Sequence, residues 1–178
     1  MNISVVIPVY NVARFLPTCL DSLCAQTFRD WTCLLGDDGS DDGSSDICRE
    51  YAAHDARFTV RRTENCGAYA ARNIGLGWAK GDAIYFCDSD DILHPELLSR
   101  LVTALESHPA DFSYVDAVEF PEDGKPECRL PSEEPTIVDN VFALYARQKC
   151  GLALWHCLFL RVALEGLSFA SLDRKSGV

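Results

Sequence analysis

The run Asp88-Ser89-Asp90-Asp91 follows directly on the apolar segment Ala83-Ile84-Tyr85-Phe86-Cys87. Three carboxylates crowded at a strand end repel one another unless a cation neutralises them. Oxygen-only ligands suit Mg2+ or Mn2+, ions typically shared with substrate phosphates. The competing reading is a solvated acidic turn leading into the helix that Pro95 opens. A second acidic stretch, Asp37-Asp38-Gly39-Ser40-Asp41-Asp42-Gly43, carries two glycines that allow tight or positive-φ turns. A carboxylate there can accept hydrogen bonds from a base or a ribose, although Asp41, Asp42 and Asp46 read as turn and helix-cap residues. A calcium loop is excluded, because its downstream glutamate spacing is absent. Third comes Asn65-Cys66-Gly67-Ala68 with Arg72-Asn73 one turn on. Arg72 is a permanently charged fork suited either to a diphosphate or to a salt bridge with the acidic cluster. Tyr10 can stack on a flat base or serve as an ordinary edge aromatic. The four histidines show no ligand spacing, and no serine elbow or glycine-rich nucleotide fingerprint is present.

These residues need elements to position them. Ile3 to Val9 is a β-branched run that predicts a buried first strand. Leu16, Leu20, Leu23 and Cys24 recur at helical spacing, with Pro17 tolerable only in the first turn. Trp31 to Leu35 predicts a second strand, and Ser44 or Ser45 a cap for a helix to about Ala53. Phe58 to Arg62 predicts a third strand. A helix rich in small residues follows over 67–79, with Gly81 as its stop. Ala83 to Cys87 predicts a fourth strand, Pro95 opens a leucine-rich helix, and Phe112 to Val118 predicts a fifth strand. Strict alternation implies an α/β fold: a mostly parallel sheet with helices on both faces. Such sheets bind ligands beyond the carboxyl ends of their strands, which is where Tyr10, Asp37-Asp38 and Asp88 to Asp91 fall.

Composition sets outer limits. With 178 residues, 48% hydrophobic and 24% charged, the chain suits a single globular domain over 1–178. A net charge of −11 argues against nucleic acid or an anionic membrane as the main partner, while allowing a phosphate-bearing ligand through a divalent cation. The nine cysteines lack zinc or redox spacing and are odd in number, so they read as reduced core thiols of a cytoplasmic protein. No basic segment precedes the first apolar run, so no signal peptide is expected. The apolar stretch from Leu152 to Leu164 is too short to span a membrane and is interrupted by His156 and Arg161. Residues 119–135, with four prolines and six acidic side chains, read as a surface loop, and Asp139 as the cap of a later helix.

Taken in order, these motifs resemble the nucleotide-diphospho-sugar glycosyltransferases of GT-A fold, specifically inverting family 2. The similarity runs through Ser4-Val5-Val6-Ile7-Pro8-Val9-Tyr10-Asn11, Leu20-Asp21-Ser22-Leu23 with Gln26-Thr27, and Asp37-Asp38-Gly39-Ser40 with Asp42-Gly43. It continues through Asn65 and Gly67, Ala71-Arg72-Asn73 with Gly75, Ala79-Lys80-Gly81-Asp82, and Asp88-Ser89-Asp90-Asp91. The resemblance implies a Rossmann-like sheet whose residues 1–118 form the nucleotide-sugar and metal half and 119–178 a partial acceptor half. It further implies that Pro8 and Tyr10 line a uracil pocket and that Asp38 bonds the base. Arg72 would reach the diphosphate or base region, and Asp88 the ribose or metal. Asp90 with Asp91 would hold Mn2+ or Mg2+ on the diphosphate of a UDP-sugar. The acceptor would be a glycan or a lipid-linked glycan of polysaccharide or lipopolysaccharide assembly. Peripheral association with a membrane surface is compatible with that role.

The family's general base is an acidic pair beyond a Trp-Asn-Lys-Leu-Tyr-Arg-like segment. Here Trp155-His156-Cys157-Leu158-Phe159-Leu160-Arg161 keeps the Trp, Leu and Arg only, and Asp173 is the one late aspartate. Two expectations follow: an inverting, metal-dependent transferase using Asp173 or another base, or a shortened donor-binding remnant that transfers nothing. A haloacid-dehalogenase-type phosphatase is disfavoured, because its Asp-x-Asp pair follows the first strand. A sugar nucleotidyltransferase would need a basic glycine-rich loop where Asn11-Val12-Ala13-Arg14 stands.

Overall fold

Seven consecutive residues, Ile3–Val9, form β1, the strand on which the sheet is built. All but Pro8 are buried, as expected of a strand covered on both faces. The structure, a computed structural model, describes residues 1–115 and 157–169. The surface loop expected over 119–135, the helix expected after Asp139, Trp155 and the candidate base Asp173 lie outside the described residues.

The remaining elements are α1 (Leu16–Cys24), β2 (Trp31–Asp37), α2 (Ser44–His54), β3 (Phe58–Arg62), α3 (Ala68–Trp78), β4 (Ala83–Phe86), α4 (Leu97–Ser107), β5 (Phe112–Tyr114) and β6 (Cys157–Leu160). A 3-10 turn, Arg161–Leu164, follows β6. The strands lie in the order β3-β2-β1-β4-β6-β5. The first four are mutually parallel, with Val9 opposite Asp37 and Asp37 opposite Arg62. This confirms the mostly parallel α/β reading. One strand was not foreseen: β6 enters antiparallel between β4 and β5, with Leu160 opposite Ala83 and Cys157 opposite Tyr114.

Period-two alternation along β1 sorts its side chains onto two cores. Ile3, Val5, Ile7 and Val9 join Leu16, Leu20 and Leu23 of α1 and Leu98, Leu101 and Leu105 of α4. Val6 faces the other way, toward Phe86, Ile84, Leu164 and Leu76 of α3. Each fully buried leucine or isoleucine contributes about 2 kcal/mol of transfer free energy, so the two layers hold the sheet from both sides. On the α3 face the approach is close: a Cβ on Gly75 would come within 2.2 Å of Val6 Cγ1. That contact accounts for the small-residue character of the helix.

Two terminus assignments need correction. Gly43 precedes α2, and neither serine caps it with a side-chain bond. Ser44 and Ser45 are buried, and their hydroxyls are spent on the loops around them. Gly81 does not stop α3 by a left-handed turn, since the helix ends at Ala79 in a different conformation. Gly81 is required because a Cβ would meet Asn2 O and Ser4 N, each at 2.8 Å. The Ser4 hydroxyl accepts from the Lys80 and Gly81 amides there, tying the α3–β4 turn to β1.

Candidate functional site

The carboxyl ends of the four parallel strands lie side by side, and their loops are stitched together. Asn11 stands at φ 51°, a left-handed conformation that asparagine tolerates, and turns the chain away from β1. Its amide donates to Ser40 Oγ, and its side-chain oxygen accepts from the Asp41 amide. The Val12 amide donates to Ser44 Oγ and the Ala13 amide to Asp42 Oδ2. In this way the Tyr10–Ala13 segment is laid onto the β2–α2 loop, leaving Tyr10 about half exposed (49%) at the rim.

Asp37 and Asp38 are both buried and both pin backbone. Asp37 accepts from the Ser40 amide at 2.9 Å and from the Ser45 hydroxyl, and Arg62 lies 3.4 Å from its Oδ2. Asp38 Oδ1 accepts from the Cys66 amide at 2.8 Å, from the Thr63 hydroxyl at 3.1 Å and from the Cys66 thiol. Its Oδ2 accepts from the Gly67 amide at 2.7 Å. Burial alone would raise both carboxyl groups, but these donors outweigh it and hold both below the ordinary carboxylate range. Gly39 follows them at φ +85°, where an added Cβ would press on Asn65 N and Thr63 O at 3.2 and 3.3 Å. Asp38 thus holds the loop that opens α3, and among the described residues its Oδ2 accepts only from the Gly67 amide.

The end of β4 is built differently. Arg72 Nη2, from α3, donates to Asp88 Oδ1 at 2.8 Å, which is the salt bridge with the acidic cluster raised as one alternative for Arg72. Its Nε is buried with no hydrogen-bond partner among the described residues, which leaves the fork with unspent donor capacity. Ser89 is buried, Asp90 exposed and Asp91 half-buried, its amide closing a turn onto Asp88 O. The expected trio of ligands does not converge. Among the described residues, no three His, Cys, Asp or Glu side chains form a group able to hold a metal ion by themselves. Asp88 is drawn onto Arg72, and Asp90 faces solvent. Hard carboxylate oxygens that leave most coordination positions open still fit Mg2+ or Mn2+. Mg2+ in particular is usually bound by one or two carboxylates, substrate phosphates and water.

Pro8 lies half-buried near the end of β1, opposite Gly36 of β2. Pro8, Tyr10, Asp38, Arg72, Asp88, Asp90 and Asp91 therefore all belong to the one sheet edge that the strand pattern predicts. A further residue, Asn73, does work that the spacing alone did not reveal. Its side-chain nitrogen donates to Phe169 O at 2.9 Å and its oxygen accepts from Phe169 N at 2.7 Å. The Phe169 ring also meets Phe86 edge-on at 5.2 Å. This clamps the segment after β6 to the helix that carries Arg72. Its sequence signal was its place in the Ala71-Arg72-Asn73 motif, which does not name a partner 96 residues away.

All seven cysteines among the described residues are free thiols; Cys19, Cys33, Cys48, Cys87 and Cys157 are buried as the core-thiol reading expects, whereas Cys24 is half-buried and Cys66 exposed. Among the described residues, no helix is long and apolar enough to cross a membrane.

Comparison with known proteins bears on this architecture. The family model described as glycosyl transferase family 2 matches residues 4–159. Glycosyltransferase GlyA of Streptococcus pneumoniae is 37% identical over 121 residues, a stretch that is 68% of this chain and 17% of GlyA. The structure of Staphylococcus aureus TarS 1–349 in complex with UDP superposes with a TM-score of 0.73 at 24% identity, covering 92% of this chain and 48% of TarS. Mannosyltransferase PcManGT from Pyrobaculum calidifontis, solved with GDP-Man and Mn2+, gives a TM-score of 0.57 at 25% identity, covering 68% of this chain and 36% of that one. The chain thus spans less than half the length of each of these proteins.

Proposed function

The chain belongs to glycosyl transferase family 2, and from that membership we propose that its sheet edge binds a UDP-sugar and a divalent cation for transfer of the sugar to a glycan or lipid-linked acceptor. The carrying observation is the convergence of Tyr10, Asp38, the Arg72–Asp88 pair and Asp90 on the carboxyl ends of adjacent parallel strands. Tyr10 presents an exposed ring for the base, and Asp38 offers its remaining Oδ2 lone pair to the uracil edge. Arg72 brings unspent guanidinium donors to the diphosphate and holds Asp88 in place. Asp90, with Asp91, supplies oxygen ligands for Mn2+ or Mg2+, and Asp88 borders that position through the oxygen Arg72 does not take. The cation, when bound, offsets negative charge on the departing nucleoside diphosphate. TarS with UDP and PcManGT with GDP-Man and Mn2+ support both parts of this reading.

Inverting transfer needs a base that removes the acceptor's proton on the face opposite the leaving group. In the described segment 157–169 the one acidic residue, Glu165, faces Arg161 at 3.4 Å. The Arg161 amide and guanidinium donate to Asp82 O and Gly81 O, at the amino end of β4 and away from Asp88. Glu165 is therefore unsuited to the task; the second reading is a chain that binds donor without transferring it. Calorimetric titration with UDP, with and without Mn2+, tests the shared part: binding tightened by Mn2+ is expected, and no UDP binding refutes both readings. Release of UDP from UDP-glucose, UDP-galactose or UDP-N-acetylglucosamine then separates them, since binding without turnover leaves the donor-binding reading alone.

A further inference from the structure

Two motif residues, Ser22 and Gln26, have no part in the site just described. Gln26 is fully buried, lies just past the end of α1, and spends every polar atom on one segment and its own helix. Its Nε2 donates to His94 O at 2.7 Å and to Ser22 O at 3.2 Å, while its Oε1 accepts from the Leu98 amide at 3.0 Å. One turn earlier, Ser22 Oγ accepts from the Leu93 amide at 3.0 Å. One turn earlier again, the buried Cys19 thiol donates to Asp88 O at 3.5 Å and lies 3.8 Å from the Cys87 thiol, which also donates to Asp88 O. Next to Gln26, the Thr27 amide donates to Pro95 O at 2.8 Å.

Cys19, Ser22 and Gln26 stand at i, i+3 and i+7, one stripe of a helix. Along that stripe the chain is gripped in order at 88, 93, 94 and 98, so Asp90 and Asp91 are strung between fixed points on either side. Resting on the donor-and-metal reading above, we propose that α1 is the template of the acidic turn. Gln26 and Ser22 are its positioning residues, setting the carboxylates of Asp90 and Asp91 for a divalent cation shared with a nucleoside diphosphate. Neither residue touches the cation; each acts through the backbone of 93–98. Partners bonded directly to a ligating group typically carry about 10- to 100-fold in metal affinity, and these, one step further out, belong at or below the lower end of that range.

The test uses the whole chain with Mn2+ and UDP as probes. Free Mn2+ is followed by its electron paramagnetic resonance signal at saturating UDP, and UDP binding without metal by calorimetry. Gln26→Leu should weaken Mn2+ by about tenfold while leaving metal-free UDP affinity within about twofold. Ser22→Ala, which removes one bond and should fold if Gln26→Leu does not, should shift Mn2+ in the same direction by about threefold. In the metal-free chain, amide exchange at Leu93 and Leu98 should rise in the matching variant. Unchanged Mn2+ affinity in both variants, or an equal loss of Mn2+ and metal-free UDP binding, overturns the inference while the donor site stands. A parent chain that binds UDP with no gain from Mn2+ removes the metal and this inference together. A parent that binds no UDP removes the proposed function itself.

Discussion

Carboxylates crowd both halves of the sheet edge, but the two halves use them in opposite ways. At the end of β2, Asp37 and Asp38 are buried and nearly saturated by backbone amides, hydroxyls and Arg62 of β3. At the end of β4, Asp90 is exposed, and Asp88 gives one oxygen to Arg72. The first group has been converted into framework, each charge neutralised locally by donors that fix a loop. The second leaves carboxylate oxygens facing solvent, and the proposed cation site draws on them. Residue type alone does not distinguish them; burial and donor supply do.

Acid should break this contrast most broadly. The folded Asp37, Asp38 and Asp42 carboxyls lie below the ordinary value of about 3.9, with the bonds of the β2–α2 and β3–α3 loops offsetting burial in each case. A depressed folded value means the stabilisation is fully present above the unfolded value and lost as pH falls through the folded one. The urea midpoint is therefore expected to be flat from pH 7 to about 5 and to fall steadily below about 4. Asp38→Asn should flatten part of that decline, and a midpoint that falls equally in the variant would contradict the assignment.

Asp37→Ala comes next in size. It leaves the Ser40 amide without its acceptor and takes one partner each from the Ser45 hydroxyl and Arg62, which keep their bonds to each other and to Ser40 O, so urea unfolding should show a loss of about 2 kcal/mol. Smallest is the effect of Asp90→Asn on stability, which should stay within about 0.5 kcal/mol while Mn2+-assisted UDP binding is lost. If Asp90→Asn destabilised the fold as Asp37→Ala does, the division between framework and ligand carboxylates would not hold.

Much of this edge was legible in the residues. Strand and helix periodicity located β1 to β4, and the rule that ligands bind beyond strand ends placed Tyr10, Asp38 and Asp88 to Asp91 together. What escaped is non-local. Cys157–Leu160 is too short to declare itself a strand until its partners on β4 and β5 are known. That Asp38 would be spent on the Cys66 and Gly67 amides depends on how the β3–α3 loop folds back, which no spacing encodes. Gln26 stands in a motif, but its role is not readable from the sequence because its partners lie some seventy residues away.

The insertion of β6 also has a bearing on how the chain is made. β4 is buried at every position, yet among the described residues its outer edge is covered by a strand that begins 71 residues after Phe86. Translation at about 5–20 residues per second leaves that hydrophobic edge unpaired for roughly 4–14 s. During this interval β1 to β3 can already be in place, and β4 presents a bare row of amides and carbonyls to neighbouring chains. Chaperone demand and losses to aggregation during expression should therefore concentrate on nascent chains between these two lengths.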